Sequence, residues 1–296
     1  PVAVVTVFDE QNRRELDEIG CLAMDEPLRA VRALAALASI RESLDRAAAS
    51  SGAAAAMAPD AMAAQRHAPP AAPTEPQALS LLATIGIPIV AHRVVTSAQE
   101  AGAAADAFGV PVAIKVVSAQ ILHKSDAGGV ALSVVGARDA QVAFDRVVAN
   151  ARRAHPQAPI DGAMVAPMVR GGVECILGVT VDPVFGPIVM FGLGGVLVEV
   201  LEDVSFRRAP FDAAEAHRMI REIRAYRVLE GVRGAPPADI DALADALAKL
   251  SCFAAANADW IDSIDVNPYI VRARGEGAVA VDALISVRGP VPLETR

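Results

Sequence analysis

Two lysines and a pair of glycines lie close together in the sequence, in a pattern that could bind phosphate. Lys115 interrupts an apolar run, and the polar segment 123–129 begins eight residues later. A lysine within an apolar strand either extends its ammonium to the surface or meets an anion. Gly128 and Gly129 would let backbone N–H groups turn toward a ligand, and Lys124 adds charge. The segment therefore fits a phosphate site, but it equally fits a polar hairpin that turns at the two glycines.

His123, at the start of the same segment, has the chemistry of a phosphoryl carrier. A neutral imidazole is nucleophilic, and histidine is often neutral near pH 7. The other four histidines lie in contexts typical of structural residues: His67, His92, His155 and His217. The Walker A pattern GxxxxGKS/T is absent from the sequence, so a different loop would have to bind phosphate.

Three oxygen-bearing side chains near the C-terminus could bind a metal ion. Asp265 and Asn267 are two residues apart in the apolar run 260–271, so on a strand they share one face. Asp282 interrupts a second apolar run, where a buried aspartate needs a partner. Oxygen ligands from two neighbouring strands, together with nucleotide phosphates, would form a Mg²⁺ site. The alternative is that Asp282 caps a turn or pairs with an arginine.

The composition argues against several classes of protein. The 296 residues are 53% hydrophobic but only 4% aromatic, so the core must consist of Ala, Val, Ile and Leu. The net charge of −8 argues against a general nucleic-acid surface, and no uncharged apolar run is long enough to span a membrane. Cys21, Cys175 and Cys252 are widely spaced without a CxxC motif. This spacing predicts buried thiols in a cytoplasmic protein rather than disulfides or a zinc site.

The elements that must position these residues begin with a short β-α-β-α pattern. Strands are predicted for residues 1–7 and 21–24, and helices for residues 10–19 and 28–46. This order suggests the last part of an α/β domain whose beginning is missing. Residues 47–73 are rich in Ala and Pro without periodicity, which predicts a mobile linker. A helical Ala-rich spacer ending before Pro69 is the alternative.

From residue 74 the chain has the pattern of a compact domain, with helices at both ends and strands between them. Helices are predicted for residues 77–85, 97–108 (opened by a capping box at Ser97), 138–154, 212–226 and 239–256. Strands are predicted for residues 87–95, 110–117, 130–135, 162–169, 173–181, 187–191, 196–201, 260–271 and 277–287, with a glycine turn at 192–195. This order predicts a mixed α/β, or α+β, domain over residues 74–296.

Five motifs in order resemble the ATP-grasp domain of NDP-forming acyl-CoA synthetases, of which the ADP-forming acetyl-CoA synthetases are the type members. The motifs are IKVVSAQILHKSDAGGV, DPVFGPIVMFGLGG, LEGVRGAPPADI, IDVNPYIV and AVAVDALI. The resemblance covers about residues 74–287 and implies an ATP-grasp fold of two subdomains. Residues 1–46 resemble the end of the flavodoxin-like CoA-ligase subdomain that precedes it, as in succinyl-CoA synthetase.

The resemblance implies a reaction and a partner. Family members convert acyl-CoA, ADP and phosphate into a carboxylic acid, CoA and ATP, through an acyl phosphate and phosphohistidines. The acyl-CoA and phosphate would be bound by a CoA-binding and CoA-ligase partner, either upstream in the chain or in a separate subunit. We therefore expect this chain to bind ATP or ADP with Mg²⁺, without completing the reaction alone. A homo-oligomer stays open.

The resemblance also implies roles for individual residues. His123 would relay the phosphoryl group, and Asp265 would lie near the incoming phosphohistidine. Lys115 would contact the nucleotide phosphates, and Asn267 and Asp282 would bind Mg²⁺. The remaining predicted ATP contacts are Lys124, Gly128, Gly129, Glu174 and an adenine hinge formed by Val165, Ala166, Pro167 and Met168. Relatives often carry Gln or Glu where this chain has Ala166, so the purine preference stays open.

Two other functions fit parts of the same pattern. Similar domains are fused to acetyltransferases as regulatory or binding modules, but a degenerate module would often lose His123, Lys115 or Asp282, and all three are present. An ATP-grasp ligase that joins an acid to an amine would lack the HKSD loop and need no CoA domain. The segment 1–46 argues against that alternative.

Overall fold

The structure is a computed structural model and describes residues 3–5, 9–55, 66–67, 72–195, 203–232 and 234–288. The chain divides into two compact units, Pro1–Met57 and Ala58–Arg296. The strand predicted for residues 196–201 lies outside the described residues, as does most of the predicted linker beyond residue 55. No helix in the described ranges has the length and apolar character needed to cross a membrane.

The first unit has the predicted β-α-β-α order. It contains strand β1 (Ala3–Val5), helix α1 (Glu10–Glu18), strand β2 (Leu22–Met24) and helix α2 (Pro27–Ala55). β1 and β2 are parallel neighbours, which requires the helical crossover that α1 provides. The predicted order of elements is therefore confirmed within the described residues of this unit.

Helix α2 extends further than the sequence pattern indicated. It continues to Ala55, nine residues into the segment predicted as a mobile linker. Six of those nine residues are alanine, three before Gly52 and three after it, and alanine has the highest helix propensity of all residues. The prediction of a mobile segment is therefore wrong for residues 47–55, and the alternative of a helical Ala-rich spacer holds there.

The second unit begins with helix α3 (Glu75–Thr84), two residues earlier than predicted. Gln77 Oε1 accepts hydrogen bonds from the N–H and the hydroxyl of Thr74, at 2.8 and 3.1 Å, and this fixes the start of the helix. Three apolar residues on one face of α3 are fully buried: Ala78, Leu79 and Leu82. Their spacing is that of a helix stripe packed on a core, and Glu75 is the preceding residue of the same stripe.

A small antiparallel sheet and two helices form the first subdomain of this unit. The elements in chain order are β3 (Arg93–Val95), α4 (Ala98–Phe108), β4 (Val112–Val117), β5 (Val130–Val134), α5 (Gly136–Ala154) and β6 (Gly162–Pro167). The strands lie in the order β3-β6-β4-β5, so β4 is an interior strand. Small apolar side chains pack between the sheet and the helices, among them Ala101, Val112, Ile114, Ala140, Phe144, Val147 and Val165.

The predicted capping box of α4 is displaced by one residue. Ser97 accepts a hydrogen bond from the N–H of Glu100, as expected for an N-cap. The Glu100 carboxylate, however, accepts from the N–H of Thr96 at 2.7 Å instead of from Ser97. These hydrogen bonds hold the pKa of Glu100 below its ordinary value.

A larger sheet forms the second subdomain. The strands are β7 (Val173–Asp182), β8 (Gly186–Leu193), β9 (Val204–Arg208), β10 (Ile261–Val271), β11 (Ala278–Ala280) and β12 (Leu284–Val287). They lie in the order β11-β10-β7-β8-β9, and β12 also pairs with β10. The chain between β9 and β10 forms α6 (Ala213–Glu222), a 3-10 helix (Arg224–Val228) and α7 (Ile240–Ala256).

Three strand predictions need correction in this sheet. The strand predicted for residues 277–287 is interrupted, and β11 and β12 flank a gap that contains Asp282. The predicted glycine turn begins only at Gly194, because Gly192 and Leu193 pair with β7 and extend β8. Strand β9, which pairs with β8, was not predicted, because the two arginines of its sequence VSFRR interrupt the apolar pattern typical of a strand.

Candidate active site

Lys115 lies in the middle of β4, where every residue is buried. Strand alternation places its side chain on the same face as that of Val117, and its neighbour Met164 on β6 shares this face. Val117 and Met164 belong to the core of the large sheet, so Lys115 points away from α4 and α5 and toward that sheet. The residue is only 8% exposed, so the alternative of a surface lysine is wrong.

Two carboxylates hold the Lys115 ammonium. Its Nζ donates to Glu75 Oε1 at 2.7 Å and to Asp282 Oδ2 at 2.6 Å. Lys124 Nζ lies 2.8 Å from the other oxygen of Glu75 as an ion pair. Burial alone would lower the pKa of Lys115, but the charges of Glu75 and Asp282 offset this effect and raise the pKa above its ordinary value. These four residues, Glu75, Lys115, Lys124 and Asp282, are called the lysine–carboxylate cluster below.

Glu75 is the member of the cluster that sequence reasoning missed. An acidic residue near the start of a helix is common, because it interacts favourably with the helix dipole, so its presence gave no distinct signal. The helix was also predicted to begin at residue 77, which left Glu75 outside it. Its position on the apolar stripe of α3, three residues before Ala78, is the signal that would have identified a buried carboxylate.

The two glycines of the predicted phosphate loop are explained by the loop itself. Gly128 has a φ of +62°, and a Cβ at Gly129 would lie 2.6 Å from Val116 Cγ1. The N–H groups of Gly128 and Gly129 donate to the carbonyls of Ser125 and Lys124, at 3.0 and 2.8 Å. Their N–H groups are therefore occupied within the loop, and their assignment to ATP binding stays a prediction.

His123 is exposed at the start of this loop. Its carbonyl accepts from the N–H of Ala127 at 3.4 Å, but its imidazole has no hydrogen bond or ion pair within the described ranges. The neighbouring Lys124 connects the loop to the lysine–carboxylate cluster. The structure thus places His123 one residue from the cluster along the chain, and its role as a relay stays a prediction.

The register of β10 places Asn267 across from Asp282. Asp265 lies opposite Leu284, and Tyr269 lies opposite Ala280. The two pairings have the same register, so residue 267 faces residue 282 in the gap between β11 and β12. The pairing of β10 with β7 is irregular between Val266 and Tyr269, and such bulges redirect side chains near functional sites. The prediction that Asp282 lies on a strand is therefore wrong, because Asp282 reaches the site from the irregular segment between β11 and β12.

Asp265 and Asp282 lie close enough to influence each other. Desolvation by the surrounding protein raises the pKa of Asp265, and the negative charge of Asp282 raises it further. Asp282 itself pairs with Lys115, which makes the alternative of an arginine partner wrong. The site therefore has more negative charge than its cations neutralise on the β10 side.

The raised pKa of Asp265 predicts a pH-dependent effect on stability. A carboxyl whose folded-state pKa exceeds its unfolded value destabilises the fold when ionised, and this penalty disappears as the pH falls below both values. Asp265→Asn is therefore expected to raise the melting temperature at pH 7, by about 1 °C or less because Asp265 is exposed and water screens part of the effect, with a smaller difference near pH 3. Thermal melts at both pH values check this. Asp262→Asn, at another exposed position of the same strand, is the control, and a lower melting temperature for Asp265→Asn at pH 7 would contradict the interpretation.

The predicted adenine hinge is the end of β6 and the residue after it. The N–H of Met168 donates to the carbonyl of Pro111 at 2.8 Å, which continues the pairing of β6 with β4. Antiparallel alternation then directs the backbone polar groups of Ala166 toward β4, and those of Val165 and Pro167 toward the other edge. β3 begins only at Arg93, opposite Val165, so the carbonyl of Pro167 lies before its first residue. The carbonyl of Pro167 therefore has no partner on the neighbouring strands β3 and β4, and this position leaves it to a ligand.

Glu174 is exposed on β7, opposite Ile270 of β10. Its carbonyl accepts a hydrogen bond from the N–H of Gly194 at 2.6 Å, and a Cβ at Gly194 would lie 3.1 Å from Glu174 Cβ. The glycine turn after β8 therefore packs directly against Glu174. Its contact with a nucleotide stays a prediction.

Comparison with known proteins shows the family of this chain. The sequence profile of a family described as ATP-grasp domain matches residues 64–287. This chain belongs to the ATP-grasp family. It is 44% identical over 215 residues to the beta subunit of an ADP-forming acetate–CoA ligase II from Pyrococcus furiosus, covering 73% of this chain and 91% of that one. It is 45% identical over 203 residues to an ADP-forming acetate–CoA ligase I from Archaeoglobus fulgidus, covering 69% of this chain and 29% of that one.

Solved structures agree with the ATP-grasp assignment. A dinucleotide-forming acetyl-coenzyme A synthetase 1 from Ca. Korarchaeum cryptofilum, in complex with coenzyme A, Ca-AMPCP and HgCl⁺, superposes with a TM-score of 0.69 at 40% identity, covering 73% of this chain and 93% of that one. PH1788 from Pyrococcus horikoshii superposes with a TM-score of 0.70 at 42% identity, covering 73% and 91%. The predicted fold is confirmed, and these relatives favour the CoA-ligase assignment over an acetyltransferase module or an acid–amine ligase.

The residues of this ATP-grasp chain fit the Mg²⁺ that its resemblance implies. Within the described ranges no three His, Cys, Asp or Glu side chains form a metal cluster. Mg²⁺, however, is commonly bound through one or two carboxylates, with phosphates and water completing its octahedron. Asp282 is 33% exposed and faces Asn267, and the raised pKa of Asp265 indicates negative charge that a cation would neutralise. The donors present therefore suit a metal that arrives with a nucleotide.

Proposed function

We propose that this chain is the nucleotide-binding part of an ADP-forming acyl-CoA synthetase, which converts acyl-CoA, ADP and phosphate into a carboxylic acid, CoA and ATP. The observation that carries the proposal is the contact of Lys115 on the small sheet with Asp282 at the large sheet. A phosphate-binding lysine and a metal-binding carboxylate then belong to one site between two subdomains. The similarity to ADP-forming acetate–CoA ligase beta subunits over about nine-tenths of their length supports it.

The same proposal includes a partner that binds CoA. The chain spans most of the relatives that are beta subunits but only about 30% of the single-chain relatives. We infer that the acyl-CoA and phosphate sites lie in a CoA-binding and CoA-ligase partner, present in the same chain or in a separate subunit. In this proposal residues 1–46 are the end of that CoA-ligase part, residues 47–73 connect it to the ATP-grasp domain at 74–296, and the protein is cytoplasmic. The chain alone is expected to bind nucleotide without making acyl-CoA.

Within the site, each residue has a proposed task. Lys115 and Lys124 bind phosphate oxygens, with Gly128 and Gly129 shaping the loop. Asn267 and Asp282 hold Mg²⁺, which neutralises phosphate charge when bound. The carbonyl of Pro167 is the proposed acceptor for the adenine amino group, in a hinge that also contains Val165, Ala166 and Met168, and Glu174 faces the nucleotide. Positioning and charge neutralisation of this kind account for most of the catalysis of phosphoryl transfer.

His123 and Asp265 act on the transferred group in this proposal. Asp265 orients the imidazole of the incoming phosphohistidine. His123 accepts the phosphoryl group as a new N–P bond forms and the N–P bond of the partner histidine breaks. An oxygen of the ADP β-phosphate then attacks the phosphorus, which releases neutral His123 and forms ATP.

Phosphorylation by ATP tests this relay in the reverse direction. Incubation of the chain with [γ-³²P]ATP and Mg²⁺ is expected to give protein-bound label that is acid-labile and base-stable, as expected for phosphohistidine. The label should disappear in His123→Ala and persist in the matched control His155→Ala, which replaces an exposed histidine at the end of α5. Undiminished label in His123→Ala would refute the relay.

A further inference from the structure

Glu75 is the most deeply buried charged group of the site. Its side chain is 1% exposed, against 10% for Lys115, 12% for Lys124 and 33% for Asp282. A carboxylate in such surroundings is unfavourable unless cations compensate its charge. Each of its oxygens faces a lysine: Oε1 accepts a hydrogen bond from Lys115, and Oε2, which accepts no hydrogen bond within the described ranges, forms an ion pair with Lys124 at 2.8 Å.

Glu75 makes no other side-chain hydrogen bond or ion pair with the part of the chain that the structure describes. The start of α3 is fixed by Gln77 and Thr74, so Glu75 is not needed as a cap. It lies on the stripe of α3 that otherwise buries Ala78, Leu79 and Leu82, where an apolar side chain would pack well. Replacing a buried ion pair by apolar residues is often neutral or stabilising, so stability alone does not account for a glutamate here.

The two carboxylates of the cluster differ in how they can respond to a ligand. The cluster is neutral, with two lysines and two carboxylates. Asp282 is partly exposed and lies opposite Asn267, so it can exchange Lys115 for a cation that arrives with the nucleotide. Glu75 is enclosed and has no such alternative. Lys115 would then bind a phosphate oxygen in place of Asp282 while Glu75 continues to hold it.

We propose that Glu75 is a positioning residue that holds Lys115 and Lys124 beside each other, so that both ammoniums meet the phosphates of one nucleotide. This inference rests on the proposed function. Lys115 comes from a rigid interior strand, whereas Lys124 comes from the loop after it. A single carboxylate bound to both lysines therefore fixes the loop relative to the strand before the nucleotide arrives. Such preorganisation strengthens binding because less order is lost on association.

Glu75→Gln tests the inference, because glutamine has the same size but only one acceptor oxygen and no charge. ADP affinity is expected to fall about tenfold or more, the effect of a charge-assisted hydrogen bond. Glu100→Gln, which removes a first-turn carboxylate of α4 outside the site, should leave the affinity unchanged. The ADP affinity of Lys124→Gln should fall by a similar factor. The ADP affinity of the double variant, Glu75→Gln with Lys124→Gln, should fall no further than that of the weaker-binding single variant. Additive losses would show that Glu75 does not act through Lys124.

Chemical labelling gives a readout that a purely structural role would not change. The chain has only three lysines, Lys115, Lys124 and Lys249, so acetylation can be followed by mass spectrometry with Lys249 as the internal reference. Glu75→Gln should accelerate acetylation of Lys124 relative to Lys249, and Mg²⁺ with ADP should slow it in the wild type. If the wild type binds ADP, and Glu75→Gln matches it in both ADP affinity and Lys124 acetylation, this inference is overturned while the proposed function is not. A wild type that fails to bind ADP would overturn the proposed function and this inference with it.

Discussion

Replacing Lys115 by methionine is expected to weaken ADP binding by about 30-fold or more. Hydrogen bonds to charged groups contribute about 1.5–3 kcal/mol, and each 1.4 kcal/mol is a tenfold change in affinity. Methionine fills similar space on β4 without offering a donor, and Glu75 keeps Lys124 as a partner. The effect should therefore appear in the affinity more than in the fold. Equilibrium dialysis with radiolabelled ADP measures it directly.

Lys249→Met is the matched control for this variant. Lys249 is the third lysine of the chain, and its Nζ donates to the carbonyl of Gly86 at 2.9 Å and pairs with Asp245. Its loss should reduce stability slightly and leave ADP affinity unchanged. An affinity of folded Lys115→Met equal to that of the wild type would show that the nucleotide does not bind at the lysine–carboxylate cluster.

Asp282→Asn is expected to remove the contribution of Mg²⁺ to nucleotide binding. In the wild type, Mg²⁺ should strengthen ADP binding by about tenfold or more, because a cation next to Asp282 neutralises charge on the phosphates. Asparagine retains an oxygen but not the charge, so the ratio of affinities with and without Mg²⁺ should approach one. ADP titrations in Mg²⁺ and in EDTA give this ratio.

The ADP titration in EDTA shows whether Asp282→Asn impairs only the Mg²⁺ effect or nucleotide binding in general. Asp282→Asn frees Lys115 from one of its two carboxylates and removes negative charge, so metal-free ADP should bind at least as well as in the wild type. Asp262→Asn, on the same strand as Asp265, should retain the full Mg²⁺ effect. A normal Mg²⁺ effect in Asp282→Asn would place the metal elsewhere.

The chemistry of the site was predictable where a polar residue interrupts an apolar run. Lys115 and Asp282 were both recognised in this way, and the structure brings them to 2.6 Å although they are 167 residues apart. Their direct contact was not predictable, because it depends on how the small sheet packs against the large one. Glu75 was missed because helix starts are often acidic for reasons of local electrostatics, so its burial is visible only in three dimensions.

Glycine patterns were the least specific part of the sequence. Gly128 and Gly129 suggested a phosphate loop, yet a positive φ and a close approach to Val116 explain both. The predicted boundaries of strands were wrong where tertiary contacts override local propensity, as at the gap around Asp282 between β11 and β12. Residues 47–55 show the opposite case. There the helix propensity of alanine alone extends α2, and that propensity was given too little weight in the prediction.

Calorimetric titration of the wild-type chain with ADP in the presence of Mg²⁺ tests the central claim most directly. The account predicts saturable binding at one site per chain, strengthened by Mg²⁺, under conditions where the chain alone makes no acyl-CoA. Absence of saturable ADP or ATP binding by the folded chain, with or without Mg²⁺, would contradict it.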